Sequence, residues 1–393
     1  MASNKTTNYP RWAIVNFIVL TAVGLLLRII QVYGLPFVDY QFLLHAHSHF
    51  AFAGWMFFAI AILITHTLFG NEYPTACKYV LGLTLVSAYG MLFSFALQGY
   101  RPVPIFFSTL FVIATYWFTY LVFRCRALKY QVNRVACLLI RGALIFVCLS
   151  SIGPFALGPI EASGMNKMAI FQDAIYLYLH FQMNGFMFLG VLGIFAASSV
   201  TTALTRAGSV RLNLFIWSAL PLYFIFTLWD NPNAWIRSLA CLGAGLNLLC
   251  WLALCISFRK NSRQFSFLAK AAFIAATLKI VFQALVCFPP VGQWAFLDRN
   301  LIIGYIHLLT LGIIMPLILD QFVKKGFLKT GHLLNRINGA YLAATIVYLI
   351  LLFIQPLLSL YGIGIPAYPL LLLILCFLFL PVGLLLLTRT RKV

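Results

Sequence analysis

Charged residues are scarce in this sequence, and acidic residues are the scarcest. Only 9% of the 393 residues are charged, with 7 Asp and Glu against 27 Lys and Arg. A soluble domain of this length carries far more charge on its surface, so water is not its main solvent. The basic residues lie in short clusters between apolar runs, which is unlike a nucleic-acid-binding face. We therefore expect no nucleic-acid partner.

Closely spaced cysteine pairs are also absent. The nine cysteines include no Cys-x-x-Cys motif, and most of them lie inside apolar runs. This pattern argues against a disulfide framework and against a thiolate metal site. We interpret the cysteines as small residues of the helix core.

Long apolar runs are what the chain has in quantity, with a mean hydropathy of +0.98. A helix needs about 20 predominantly apolar residues to cross a bilayer. The runs predict an all-α, polytopic membrane protein that forms a single transmembrane domain, residues 1–393, in a lipid bilayer. The predicted spans are 12–33, 42–69, 77–98, 103–123, 135–157, 169–198, 211–229, 235–257, 265–288, 300–322, 338–358 and 368–387. The breaks at 100–102 and 230–232 are short, so each could be a miscounted boundary.

Alternate loops are rich in lysine and arginine, and this alternation predicts the sidedness of the chain. The basic loops would be cytoplasmic, and they contain Lys78, Arg124, Arg126, Lys129, Arg134, Arg206, Arg211, Arg259, Lys260, Arg263, Lys324, Lys325, Lys329 and Arg336. The intervening loops carry little charge. Because cytoplasmic loops are enriched in Lys and Arg, we expect an even number of spans and both termini in the cytoplasm.

Histidines inside the spans are the main candidates for chemistry, because ionisable side chains in a bilayer are costly. His45, His47 and His49 begin the second span, His180 lies in the sixth and His307 in the tenth. At 1.5 Å per residue, His47 and His307 each lie roughly 9–10 Å below the outer ends of their spans. Two imidazoles at equal depth on two helices suit the pair of axial ligands that a haem iron takes. A turn of 100° per residue places His45 and His49 on one stripe and His47 on the opposite side.

Other intramembrane positions leave alternatives open. Gly54 lies seven residues after His47, where a missing side chain leaves room for a flat macrocycle or for a close helix. His180 is either a metal ligand or a packing residue hydrogen-bonded to Gln182 or Asn184. The three clustered histidines of the second span could instead be hydrated side chains at the membrane surface. Lys279 lies in the middle of a span and should be neutral, snorkelling or paired.

Two of these segments resemble subunit I of the haem-copper oxidase and nitric-oxide reductase superfamily. They are His47-Ser-His-Phe-Ala-Phe-Ala-Gly54 and His307-Leu-Leu-Thr-Leu-Gly312, which look like the low-spin haem segments of that family. Arg28 resembles the family's haem-contacting arginine. The resemblance implies twelve spans, both termini inside, and one b-type haem held between His47 and His307. It also implies a bacterial inner membrane and a respiratory electron donor or other membrane subunits as partners.

The departures from that family are equally informative. Tyr305 stands where the oxidases have a histidine for the high-spin haem, and the span 211–229 contains no histidine. No acidic residue follows His180 closely. A complete oxygen-reducing centre is therefore not assigned, although a reduced second site near His180, His45 or His49 could bind copper or another metal.

The NnrS-type membrane proteins of nitric-oxide stress, which contain haem and copper, are a second resemblance. Residues 45–47 read His-Ala-His, residues 307–312 read His-Leu-Leu-Thr-Leu-Gly, and residues 330–332 read Thr-Gly-His, as in that family. The leading interpretation is a haem protein for electron transfer or for handling nitric oxide or oxygen. The alternatives are a non-haem transporter or metal-ion permease, and a catalytically silent assembly partner that kept the fold.

Overall fold

Twelve helices in the described part of the chain are long and apolar enough to cross a membrane. The computed structural model describes residues 8–165, 167–199, 205–258 and 263–391. We number the spanning helices α1 to α12: Tyr9–Tyr33, Tyr40–Phe69, Thr75–Gln98, Pro102–Arg124, Arg134–Ala162, Ala169–Ser199, Arg206–Asp230, Ala234–Phe258, Phe267–Leu285, Arg299–Lys324, His332–Ser359 and Tyr368–Arg389. The predicted count of twelve and the all-α class are confirmed. The location of the termini stays a prediction.

Both of the short breaks, at 100–102 and 230–232, follow real helix ends. Gly99 ends α3 with a φ of 63° and donates its N–H to the Phe95 carbonyl at 2.9 Å. Asn231 follows α7 with a φ of 53°, in the left-handed region that asparagine tolerates better than most residues. These two residues stop the ladder of helical hydrogen bonds, so neither hairpin is a single long helix.

Some predicted span boundaries were wrong, and α7 also differs from the prediction in its type of helix. It is an α-helix only over Arg206–Trp217 and Ala219–Leu222, and Tyr223–Asp230 is a 3₁₀-helix. Pro221 has no N–H to donate to the preceding turn, which breaks the regular α-helical ladder. At the change of helix type the Tyr223 N–H donates to the Leu220 carbonyl instead of the Ala219 carbonyl. The Ala219 carbonyl is therefore available to a side chain.

The remaining differences between the predicted and the observed helix ends are shorter. α9 ends at Leu285 rather than at 288, α11 begins at His332 rather than at 338, and α5 continues to Ala162. The chain divides into unit 1, Met1–Arg124 with Ile318–Val393, and unit 2, Cys125–Leu317. The prediction of a single transmembrane domain stays a prediction.

Three spanning helices widen locally into π-helix. The segments are Ala51–Phe57 in α2, Phe181–Met187 in α6 and Thr310–Ile314 in α10. A π-helix shifts the backbone hydrogen bonds from i+4 to i+5, and such segments occur often at functional sites. Each of the three begins within four residues of a candidate histidine.

Candidate functional site

The histidines of α2 point in two directions, as the helical stripe predicts. The His49 ring stacks on Phe95 with centroids 4.3 Å apart, and its Nε2 is 3.1 Å from the Tyr100 hydroxyl. The His45 ring meets the Tyr100 ring edge-on at 4.7 Å. His45 and His49 thus lie together against an aromatic pair at the end of α3.

The His47 ring instead faces Gly24 of α1. A Cβ built on Gly24 would lie 3.0 Å from Cε1 of the His47 ring, so any larger residue would press on the imidazole. His47 follows the first residue of α2 by seven positions, or about 10 Å along the axis. Gly24 therefore provides the space in which this imidazole lies.

Arg28 lies one turn beyond Gly24 on the same stripe of α1. Its guanidinium donates to the Tyr348 hydroxyl at 2.7 Å and to Gln31 Oε1 at 2.8 Å, and it also interacts with the Cys376 thiol. Tyr348 is buried, with 2% of its surface exposed. Arg28 is therefore held against α11 and α12.

Gly54 lies against the ring of Phe50, and room for a flat macrocycle at this glycine stays a prediction. A Cβ at this position would lie 2.8 Å from the ring of Phe50, one turn earlier in α2. The other alternative, a close helix, is what the structure shows. Asn16 of α1 donates to the Gly54 carbonyl at 2.5 Å, and the Tyr89 hydroxyl donates to Asn16 Oδ1 at 2.9 Å.

His307 has a defined tautomer. Its Nδ1 lies 2.8 Å from the Ile303 carbonyl, which can only accept, so Nδ1 carries the proton. The lone pair of the neutral ring is then on Nε2, as in most metal-bound histidines. His307 follows the first residue of α10 by eight positions, or about 12 Å along the axis.

His180 is the centre of a buried polar network in unit 2. Its Nε2 donates to the Ala219 carbonyl at 2.8 Å, and its Nδ1 accepts from the Asn184 amide at 3.2 Å. Asn184 Oδ1 accepts from the Tyr305 hydroxyl at 3.0 Å, and that hydroxyl accepts from Gln283 Nε2 at 2.9 Å. Both nitrogens of His180 are engaged, so a metal there would have to replace one of these hydrogen bonds.

Tyr305→Phe should destabilise the protein by about 1–3 kcal/mol. The Tyr305 hydroxyl is a hydrogen-bond donor to Asn184 and an acceptor from Gln283. Removing it leaves both amides without this partner in a buried site. Thermal unfolding in detergent measures the loss, with Tyr33→Phe on the exposed end of α1 as control. Equal midpoints for the two variants would contradict the network.

Lys279 is buried one helical turn before Gln283 on α9, with 1% of its surface exposed. Its ammonium lies 4.7 Å from the centre of the Phe188 ring. Within residues 8–165, 167–199, 205–258 and 263–391, no carboxylate lies within ion-pair distance of it. The structure adds an aromatic contact to Lys279, and the neutral, snorkelling or paired alternatives stay predictions.

Lys279→Met should raise the midpoint of thermal unfolding. A methionine of similar length keeps the packing against Phe188 and removes an ammonium that has no anionic partner. Lys270→Met, on the exposed beginning of the same helix, is the matched control and should change little. A midpoint for Lys279→Met below that of the control would mean that the ammonium makes a favourable interaction.

A repeated motif around the π-helices was missed in the sequence. His49, His180 and His307 are each followed by a glycine five residues later, in α2, α6 and α10 respectively. In all three helices that glycine, which is Gly54, Gly185 or Gly312, lies inside the π-helical segment. The spacing His-x₄-Gly was the signal that could have identified the three segments as equivalent.

Among the described residues, no group of three or more His, Cys, Asp or Glu side chains is arranged to hold a metal ion. The expected second metal at His180, His45 or His49 stays a prediction.

Comparisons with known proteins do not identify the chain. No family model matches it, and no curated protein matches it.

Proposed function

We propose that the protein is a membrane haem protein that binds one low-spin b-type haem through His47 and His307. The observation that carries this proposal is the tautomer of His307: its Nδ1–H donates to the Ile303 carbonyl, which places the lone pair of the neutral ring on Nε2, a nitrogen that can ligate iron. The resemblance to haem-copper oxidase subunit I supports the same pair.

The surroundings of His47 and Arg28 fit this proposal. Gly24 gives the His47 imidazole a place against α1, and the π-helix Ala51–Phe57 begins four residues after it. Arg28 lies one turn along α1 from Gly24, and a guanidinium has five N–H donors, more than its contacts with Tyr348, Gln31 and Cys376 use. A haem propionate is the kind of acid that such a group binds.

The activity we propose is electron transfer or the handling of nitric oxide or oxygen, without a complete binuclear centre. A bound haem would supply one-electron chemistry, and the chain would supply the imidazole ligands, their orientation and a dry environment. Tyr305 donates to Asn184 in the position where the oxidases have a haem ligand, so this part of unit 2 is built for hydrogen bonding. A respiratory donor and a bacterial inner membrane remain part of the proposal.

Haem and metal content of the purified protein test the proposal. The expected result is one iron and one non-covalently bound haem per chain, from metal analysis together with a pyridine haemochrome assay. Iron and haem both absent would overturn it. Tightly bound zinc or copper without haem would favour the metal-ion permease, and co-purifying subunits without any cofactor would favour the assembly partner.

A further inference from the structure

Two cysteines meet at one end of a helix pair in unit 2. Cys241 lies in the second turn of α8, and Cys287 comes two residues after the end of α9. The two thiols lie close enough to interact with each other, and both are free. Cys287 also packs beside the apolar cluster that includes Ala240 and Ala244 of α8. The beginning of α8 and the segment after α9 thus bring these two sulfur atoms near each other.

The two thiols differ in accessibility. Cys241 is exposed and lines an open cavity of about 720 Å³ together with Arg237, which precedes it by one turn on the same face of α8. Cys287 is partly buried, and this burial, together with the neighbouring Cys241 thiol, raises its pKa to about 12. A thiol reacts with an external disulfide only where the sulfur atom is accessible. Cys241 is therefore the thiol that an external reagent meets first.

We propose that Cys241 and Cys287 are a redox-active pair that forms one intramolecular disulfide. The Cys241 thiolate attacks a sulfur of an external disulfide, from a small molecule or a protein oxidant, and releases one thiol. Cys287 then loses its proton, attacks the Cys241 sulfur of the mixed disulfide and releases the second thiol. The pair gives up two electrons and two protons, and the external disulfide is reduced to two thiols.

The predicted sidedness supplies the compartment for this reaction. The loops at this end of α8 and α9 are among those with little positive charge, so they are expected to lie outside the cytoplasm. Disulfides form and persist in such oxidising compartments. The linkage would join the beginning of α8 to the loop after α9, and it does not depend on bound haem.

Thiol counting on the full-length protein in detergent tests this proposal. Reduced protein is exposed to oxidised glutathione, denatured and labelled with a maleimide that shifts gel mobility. The expected result is a loss of two labelled thiols, with a proteolytic cross-link between the Cys241 and Cys287 peptides and a mass lower by two hydrogen atoms. An unchanged thiol count, or glutathione left on Cys241 in the unmutated protein, would overturn the proposal.

Three single variants separate the roles of the two thiols. Cys287→Ser should trap glutathione on Cys241, because the second thiol is missing, whereas Cys241→Ser should give no adduct and no cross-link. Cys250→Ser, on a buried cysteine of the same helix, is the matched control and should form the cross-link normally. Cross-linking that survives in either of the first two variants, or fails in the control, would contradict the assignment.

Discussion

Replacing either His47 or His307 with alanine should abolish the low-spin spectrum of the proposed haem. Each variant keeps one imidazole, so the haem iron would lose one of its two proposed ligands and become high-spin. The open position should also allow carbon monoxide to bind, which a bis-imidazole iron in the unmutated protein should resist. Optical spectra of the purified variants, with and without carbon monoxide, measure both changes.

The other histidines are the controls for this experiment. His332→Ala, on the exposed beginning of α11, should leave the spectrum unchanged. His49→Ala should also keep the low-spin bands, because the His49 ring is stacked on Phe95. If His49→Ala removes those bands and His47→Ala does not, the ligand on α2 is wrongly assigned. The His-x₄-Gly spacing, which makes His49 the equivalent of His307, would then identify the ligand.

Gly24→Val should lower haem occupancy about 10-fold or more, a loss typical of mutations in residues that orient metal ligands. The Cβ alone would lie 3.0 Å from the His47 ring, and the two methyl groups of valine reach further. The ring would have to rotate or move away from α1, which changes the direction of its nitrogen lone pairs. Haem content per chain after purification, measured by pyridine haemochrome, gives the occupancy.

Gly82→Val is the matched control for that substitution. Gly82 lies within α3, and a Cβ built there meets nothing within 4 Å. Both variants add the same β-branched side chain to a transmembrane helix of unit 1. Equal haem occupancy in the two variants would show that the space beside His47 is not needed for binding.

Hydrophobicity was sufficient to predict the twelve spans, because each helix must bury its own backbone hydrogen bonds in lipid. The errors occur where the helix changes type or bends. Pro221 marked the irregularity of α7, but hydropathy alone does not show that the last turns become a 3₁₀-helix. That change has a consequence, since it leaves the Ala219 carbonyl for His180.

The candidate site was predicted less completely than the spans. Helical periodicity correctly separated His47 from His45 and His49, since that separation depends only on the geometry of one helix. The hydrogen bond from Asn184 to His180 was one of two options in the sequence and is confirmed. The contact between Gly24 and His47 joins two helices, and their packing cannot be read from local periodicity.

The optical spectrum of the purified protein, ferric and then dithionite-reduced, is the decisive test of haem binding by His47 and His307. We expect a Soret band and the sharp α and β bands of a reduced, bis-imidazole b-type haem, and we expect all of them to be lost in the His47→Ala, His307→Ala double variant. A purified, folded protein that shows no Soret band would contradict haem binding, and a double variant with the unchanged spectrum would contradict the assignment of its ligands.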